Sequence, residues 1–423
     1  MKNKTTARAA AALRALGAMA LAMLLAACAA GPQALQASRL QYNEVIKSST
    51  EQQLLLNIVR LRYTDTPSSL SVSNIAAQFE LVRQLQLTPF FAPSGAEPNR
   101  SYSSILPGAA ISSADRPTFS LTPIDDAEFT RKLFTPLTLE GVIYLANTTW
   151  PIGTVFRLYL ENLNWVPNAE LASGPTPARA PPYSSFVYGV LALQQLQQDG
   201  RVRFATEERF EPAGSPIPAA KVDAADVIEA AKSGFELRRD EGAATWTLGK
   251  RTRQPVLFLD PKVKDTDAAR VFTRAFHLKP GVFKYDVTVD GLPPYSEEAD
   301  GQGGTLLDLE PRSLLQAMYF VSHGVDVPPE HSASGLARTT LTDDGSVFNW
   351  KDVTFNLFHV QWKKGSEPPK NAHVAVRYHD YWFYIDDADH DTKATFSLLM
   401  ELTRLDLQGK QGDQPILTLP LGR

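Results

Sequence analysis

The densest group of ionisable side chains lies near the C-terminus: His379-Asp380, then Asp386-Asp387-Ala388-Asp389-His390-Asp391. Asp387, Asp389 and Asp391 have the 1-3-5 spacing with which a calcium loop presents its first oxygen ligands. The match then fails. The sixth position is Thr392 where such a loop needs glycine, and the twelfth is Leu398 where it needs a bidentate glutamate. The same acids precede an apolar-periodic segment, where carboxylates accept the free N–H groups of a helix start and oppose its positive end. We read them as that cap and expect no metal and no cofactor. Just upstream, Val374–Tyr378 and Tyr381–Ile385 flank a His379-Asp380 turn. Alternation sends Tyr381, Phe383 and Ile385 to one face and Trp382 and Tyr384 to the other. A strand apolar on both faces is most simply central and buried. The functional alternative is an aromatic platform for a glycan or a partner protein, with Arg377, Tyr378, Trp382 and Tyr384 as its binding residues. A second candidate is Arg60 with Arg62, after a run of leucines. Guanidinium groups there can clamp a carboxylate or phosphate, or lay their stems over the core and pair with acids.

No motif supplies a catalytic residue. The chain has no G-x-S-x-G, no H-E-x-x-H and no P-loop. Gly301-Gln302-Gly303-Gly304 lacks the third glycine of a dinucleotide fingerprint, and the seven histidines are scattered.

These residues need elements to position them. Ser48 and Glu51 have capping-box spacing, and Leu54, Leu55, Ile58 and Leu61 follow at helical spacing, which predicts a helix from about Ser48 to Tyr63. Phe79, Leu81, Leu85 and Leu87 alternate with mostly polar residues and predict a strand over 78–88. Residues 89–118, rich in Pro, Gly, Ser and Asn, read as a long loop with short strands. Three short helices follow: from Asp125 to Leu133, after Thr138, and from about Pro151 to Leu163. The segment Leu171–Pro182 carries four prolines and is the candidate domain boundary. Beyond it we expect a helix at 185–198 and strands at 202–205, 245–248, 256–259 and 283–289. A helix at 311–322 follows, then a bulged strand at 353–362, the aromatic hairpin, a helix at 392–405 and a strand at 416–419. Helices and strands intersperse without a βαβ rhythm. The class is α+β, a helical N-terminal portion followed by a mixed, largely antiparallel sheet with packed helices.

The N-terminus carries Lys2, Lys4, Arg8 and Arg14, then an apolar run from Ala15 to Ala27. That is the layout of an export signal, and the run is short of the roughly 20 residues of a spanning helix. Leu25-Ala26-Ala27-Cys28 resembles the bacterial lipobox. The resemblance implies cleavage before Cys28 and lipid on its sulfur and new amino group. Several acyl chains on one residue make a durable anchor where one is marginal. Ala29 stands where an Asp would imply inner-membrane retention, so the resemblance points to the outer membrane. The expected divisions are a signal peptide at 1–27, a lipidated tether at 28–38, a helix-rich domain at 39–170 and an α+β domain at 183–423. The tether reaches at most ~35 Å.

Cys28 is the only cysteine, so the mature body has no disulfide and no thiol chemistry. Removing residues 1–27 removes four basic groups and takes the net charge from −4 to −8. An acidic body argues against nucleic acid as a partner. Gln53–Tyr63, Pro117–Pro136, Val325–Leu336, Val374–Leu399 and Leu417–Arg423 are together similar to segments of proteobacterial outer-membrane lipoproteins. That resemblance implies a location and no activity. The expectation is a lipid-anchored, periplasm-facing, non-enzymatic protein that binds or scaffolds an envelope protein or glycan. The alternatives are a periplasmic hydrolase of envelope material, marked by a converging His, acid and hydroxyl, and an accessory subunit of an envelope transport or secretion complex, marked by a large exposed apolar patch or a ring-forming edge.

Overall fold

The computed structural model describes residues 40–41, 43–68, 70–93, 101–123, 131, 133–240, 242, 244–289, 304–407 and 417–420. Cys28, the signal peptide, the tether and most of the segment 124–132 lie outside the described residues. The chain forms two compact units. One holds residues through Gln53, Ser68–Asp126 and Gln408 onward; the other holds Leu54–Pro67 and Ala127–Leu407. The class is α+β, with a mixed sheet that is mostly antiparallel.

Helix α1 covers residues 40–62. The sequence placed its start at Ser48, but no glycine or proline interrupts the stretch from residue 40. The Ser49 and Thr50 hydroxyls turn back onto the Ile46 carbonyl, at 3.0 and 2.7 Å, instead of capping a new helix. The first unit is otherwise a long antiparallel hairpin of β1 (Leu70–Pro93) and β2 (Ser101–Pro123), with a terminal strand, Leu417–Pro420, on β2. Residues 89–118 were expected as a loop. They are strand apart from the connector, paired residue for residue with β1 from Pro93↔Ser101 to Ala76↔Thr118.

The second unit is built on one core. Helices α2 (Leu139–Ala146) and α3 (Ile152–Tyr159) are followed without a loop by β3 (Leu160–Leu163) and then β4 (Val166–Pro167). Thr138 caps α2 by accepting from the Gly141 N–H, as its sequence position implied. Helix α4 (Ser184–Gln198) ends at Asp199-Gly200, where Gly200 takes φ 67°. Then come β5 (Val202–Pro212), β6 (Ile217–Pro218), α5 (Ala224–Lys232), β7 (Glu236–Arg239) and β8 (Thr245–Leu259). The two strands read at 245–248 and 256–259 are one. After it come α6 (Asp267–Ala275), β9 (Lys284–Thr288), β10 (Leu306–Pro311) and α7 (Leu314–Ser322). The sheet order is β4-β3-β10-β9-β8-β5, with β6 and β7 also on β8, and β9 and β10 pair in parallel. Ser313 and Gln316 close a reciprocal capping box that starts α7.

The proline-rich segment Leu171–Pro182 lies inside this unit. Residues before it (Leu163, Val166) and after it (Phe186, Val190) belong to one apolar cluster. The Thr340 hydroxyl donates to the Pro177 carbonyl at 2.7 Å, tying the segment to the body.

Three more helices, α8 (Pro329–Ala333), α9 (Lys351–Thr354) and α10 (His390–Leu407), surround a second sheet in the order β11 (Gln361–Lys364), β13 (Tyr381–Asp386), β12 (Ala372–Tyr378). The bulged strand expected at 353–362 is instead α9, a loop and then β11. The Arg157 guanidinium takes the Val353 and Phe355 carbonyls at 2.7 and 2.9 Å, leaving them no ladder to join. The hairpin stands as expected. His379 and Asp380 have φ 43° and 65°, the left-handed pair of a type I′ turn. Strand β13 is central, but its faces differ. Tyr381, Phe383 and Ile385 are buried, while Trp382 and Tyr384 are half-covered.

That difference sets a stability prediction. Phe383 is fully buried, so Phe383→Ala should cost about 3–5 kcal/mol in denaturant unfolding. Trp382→Ala should cost distinctly less, because its face keeps solvent contact. Equal losses would show that the second face is also packed.

Candidate functional site

The residues singled out in the sequence fall into separate places. The end of α1 meets the hairpin turn. Tyr63 lies edge-on to His331, Tyr378 and Phe383, with ring centroids 5.6, 5.2 and 6.1 Å away. The Tyr63 hydroxyl is 2.7 Å from His331 Nδ1. Burial pushes the phenol up and the imidazole down, so both are neutral and the hydroxyl donates to the nitrogen. The Tyr378 hydroxyl donates to the Asp65 carboxylate. Burial first, and that bond second, hold its pKa well above the usual phenol range, while the Arg60 charge pulls the other way. Arg62 is buried and donates from Nη1 to the Thr176 hydroxyl at 2.9 Å and to the Arg338 carbonyl at 3.2 Å. Burial lowers it to about 10, leaving it charged at neutral pH.

Arg60 acts on Tyr378, and Arg62 is spent on Thr176 and Arg338, although its buried Nε has no hydrogen-bond partner among the described residues. Arg377 is exposed and reaches Asp380 at 3.5 Å. Trp382 and Tyr384 sit on the other face of β13, where the Tyr384 hydroxyl donates to Gln361 Oε1 at 2.8 Å. The six residues do not form one surface. The acidic run does what its position before α10 suggested. Asp389 accepts from the Thr392 N–H at 3.0 Å and from its hydroxyl at 2.7 Å, and Asp387 pairs with Lys393 at 2.6 Å.

Among the histidines, His359 Nε2 is 2.8 Å from Asp326, whose carboxylate also takes Lys351 at 3.0 Å. Among the described residues no serine or threonine hydroxyl is bonded to the His359 ring. His323 is buried against Trp350, with ring centroids 4.1 Å apart. Burial lowers its pKa to about 3, with the Arg62 charge adding to the effect.

A cleft of about 580 Å³ lies elsewhere, between the β3–β4 turn, the start of α4 and the outer face of α6. Trp165, Tyr183, Tyr188, Arg270, Val271 and Arg274 help to line it. The turn is Asn164-Trp165, with φ 48° and 62°. Asparagine tolerates that conformation; a tryptophan there is an outlier whose strain is of order 1–3 kcal/mol. Asn164 holds it. Its Nδ2 donates to the Phe276 and Leu306 carbonyls at 2.9 and 3.0 Å, and its Oδ1 accepts from the Asp308 N–H at 2.7 Å. The result is an indole left 39% exposed at the cleft wall, with Tyr188 67% and Val271 42% exposed nearby. His277, also in the lining, has φ 53°.

Gly189 lets the two helices approach. A Cβ there would lie 2.5 Å from the Phe276 ring and 2.7 Å from the Ala275 Cβ. Helix α4 begins at Ser184 with no side-chain cap, so its first N–H groups remain available beside the cleft. Arg270 is engaged by Asp267 and by the Asp265 carbonyl. Arg274, in the last turn of α6, is exposed and pairs with no carboxylate among the described residues. The cleft thus offers aromatic faces, one unneutralised guanidinium and a positive helix end. This arrangement suits a ligand with flat apolar faces and an anionic group.

Sequence reading missed the cleft. Its third helix ran through to Leu163 and hid the helix-to-strand change. The one local sign was Asn164, a residue that accepts left-handed backbone, between apolar neighbours. Comparison with family models, with curated proteins and with solved structures finds no match to the chain. Among the described residues no helix is long and apolar enough to cross a membrane.

Proposed function

We propose that the chain is a lipid-anchored outer-membrane protein, facing the periplasm, that binds a carboxylated envelope glycan in the Trp165–Arg274 cleft and acts by binding or scaffolding. The observation that carries the reading is Trp165, a bulky side chain held in a strained turn by three bonds from its neighbour and kept open to solvent. Strain of this kind concentrates at sites where geometry matters more than stability. Sugar rings can lay their C–H faces on indole and phenol rings. A carboxylate on the same ligand would meet Arg274 and the free N–H groups of α4. The anchor rests on Leu25-Ala26-Ala27-Cys28 and the basic-then-apolar leader before it.

Two measurements test the two halves. The full lipidated protein in detergent micelles should bind a disaccharide-tetrapeptide released from peptidoglycan, followed by calorimetry. Trp165→Ala and Arg274→Ala should each weaken binding about tenfold or more, which is ~1.4 kcal/mol, while leaving the melting temperature nearly unchanged. No binding by the wild type, or equal binding by both variants, would remove the cleft from the account. Cells fed labelled palmitate should label the wild type and not Cys28→Ser. A labelled Cys28→Ser protein would show that Cys28 is not the anchor.

A further inference from the structure

The sheet β11-β13-β12 ends on two edges of different character. Strand β11 has four residues, and two of them are Lys363 and Lys364. Short length and lysine are common means of blunting an edge. Strand β5, the outer strand of the larger sheet, is blunted by charge instead, with Arg203, Glu207, Glu208, Arg209 and Glu211 along its length. Strand β12 has seven residues, AHVAVRY, with no proline, no lysine and one full charge, Arg377. Among the described residues it pairs with β13 alone.

The type I′ turn decides which backbone groups of β12 are left over. In a two-residue hairpin the closing pair, here Tyr378↔Tyr381, exchanges both ladder bonds, and bonded pairs then alternate along the strands. Val376 and Val374 therefore aim their N–H and C=O groups at β13, while those of Arg377 and Ala375 point outward. Among the described residues no backbone hydrogen bond from outside the hairpin reaches Ala375 or Arg377.

The register also fixes the side chains beside this edge, because residues directly opposite share a face. Trp382 stands between Lys363 on β11 and Arg377 on β12, and Tyr384 stands between Gln361 and Ala375. This face is the outer one, since Tyr381, Phe383 and Ile385 are buried on the other. Lys363 is exposed and makes no ion pair among the described residues. Arg377 meets Asp380 at 3.5 Å, with the two side chains 53% and 90% exposed, a pair of little strength. The Trp382 Nε1 is covered and has no acceptor among the described residues. Asp386, at the far end of β13, is taken by Asn371 and by the Ala388 N–H. The face thus holds two cations and a covered donor that want an acceptor, next to an edge that wants a strand.

We propose that an extended acidic peptide of another protein adds to β12 as a fourth, antiparallel strand, with a carboxylate opposite Arg377 and a large apolar or aromatic side chain opposite Ala375. Strand addition takes affinity from main-chain bonds and specificity from alternate side chains. The added strand lies ~4.8 Å from β12, within reach of the Arg377 fork for a glutamate. Ala375 is small, so a ring opposite it can pass over the methyl group to Tyr384. Pairing with a second copy of β12 would set Arg377 against His373 or Ala375, neither of which supplies a carboxylate. The proposal is independent of the cleft, with which it shares no residue.

The test is fluorescence anisotropy of labelled peptides with the full lipidated protein in detergent micelles. The peptide TVEVYVT carries its glutamate and tyrosine on one face. It should bind at least about tenfold more tightly than TVKVYVT. The same peptide methylated at the backbone nitrogens of its glutamate and tyrosine should not bind, because those N–H groups make the new ladder. Arg377→Glu should reverse the order, taking the lysine peptide and losing the glutamate peptide, with the melting temperature nearly unchanged because the side chain is exposed. A wild type that binds neither peptide, a methylated peptide that binds as well as its parent, or an Arg377→Glu protein that keeps the original order would each overturn the proposal. So would a dimer seen by light scattering that Arg377→Glu abolishes and the peptide does not dissociate, since a second copy would then occupy the edge.

Discussion

A single buried cation organises the larger unit. Arg312 has no exposed surface. Its Nη1 donates to the carbonyls of Arg157, Leu158 and Leu160 at 3.0, 3.4 and 2.6 Å, its Nη2 to that of Asn168 at 2.6 Å, and its Nε to the Ser173 hydroxyl at 2.8 Å. The Phe320 ring lies 4.1 Å from its guanidinium carbon. Helix α3 passes straight into β3, with an extended Leu160 at its C-cap and no glycine to turn the chain. The last carbonyls of that helix therefore need a donor from elsewhere. Arg312 provides it, and its charge opposes the negative end of the helix dipole. Burial lowers its pKa to about 9, against the pull of Glu161 and Glu170, so it remains charged at neutral pH.

The rest of the unit follows from that contact. Asn168 adds two bonds to the same carbonyls, from Nδ2 to Arg157 at 2.8 Å and to Leu160 at 2.7 Å. With both ends of the β3–β4 hairpin fixed, the turn between them has no freedom to relax, and Asn164 keeps Trp165 in its left-handed state. Arg157 repeats the device toward α9, and Arg62 toward Thr176 and Arg338. In each case a terminal nitrogen of the guanidinium donates to backbone carbonyls or a hydroxyl, but Nε of Arg62 and of Arg157 is buried without a hydrogen-bond partner among the described residues, and only Arg312 also uses its Nε. A chain with no cysteine beyond Cys28 relies on such polar joints and its apolar core in place of disulfides.

The α+β class, most of the element order and the His379-Asp380 turn were legible in the sequence, because apolar periodicity and turn chemistry act locally. The start of α1 was not, since Ser48 and Glu51 imitate a cap that the uninterrupted helix does not use. Residues 89–118 read as loop because they are rich in proline, glycine and serine and lack an alternating pattern; their strand rests on long-range pairing with β1, outside any local window. Arg312 itself sits between Pro311 and the capping Ser313, and its neighbours give no sign that it is buried. Its partners lie 139 to 155 positions away, beyond any window of local pattern. The arginines that drew attention, Arg60 and Arg62, proved to be part of a joint, while Arg274 drew none.

The central structural claim is that Arg312 holds the helix-to-strand passage on which the cleft wall depends. Urea unfolding of Arg312→Lys tests it most directly. An ammonium on a shorter arm cannot reach four carbonyls and a hydroxyl at once, so the variant should lose at least about 3 kcal/mol. An unfolding curve superimposable on that of the wild type would contradict the claim.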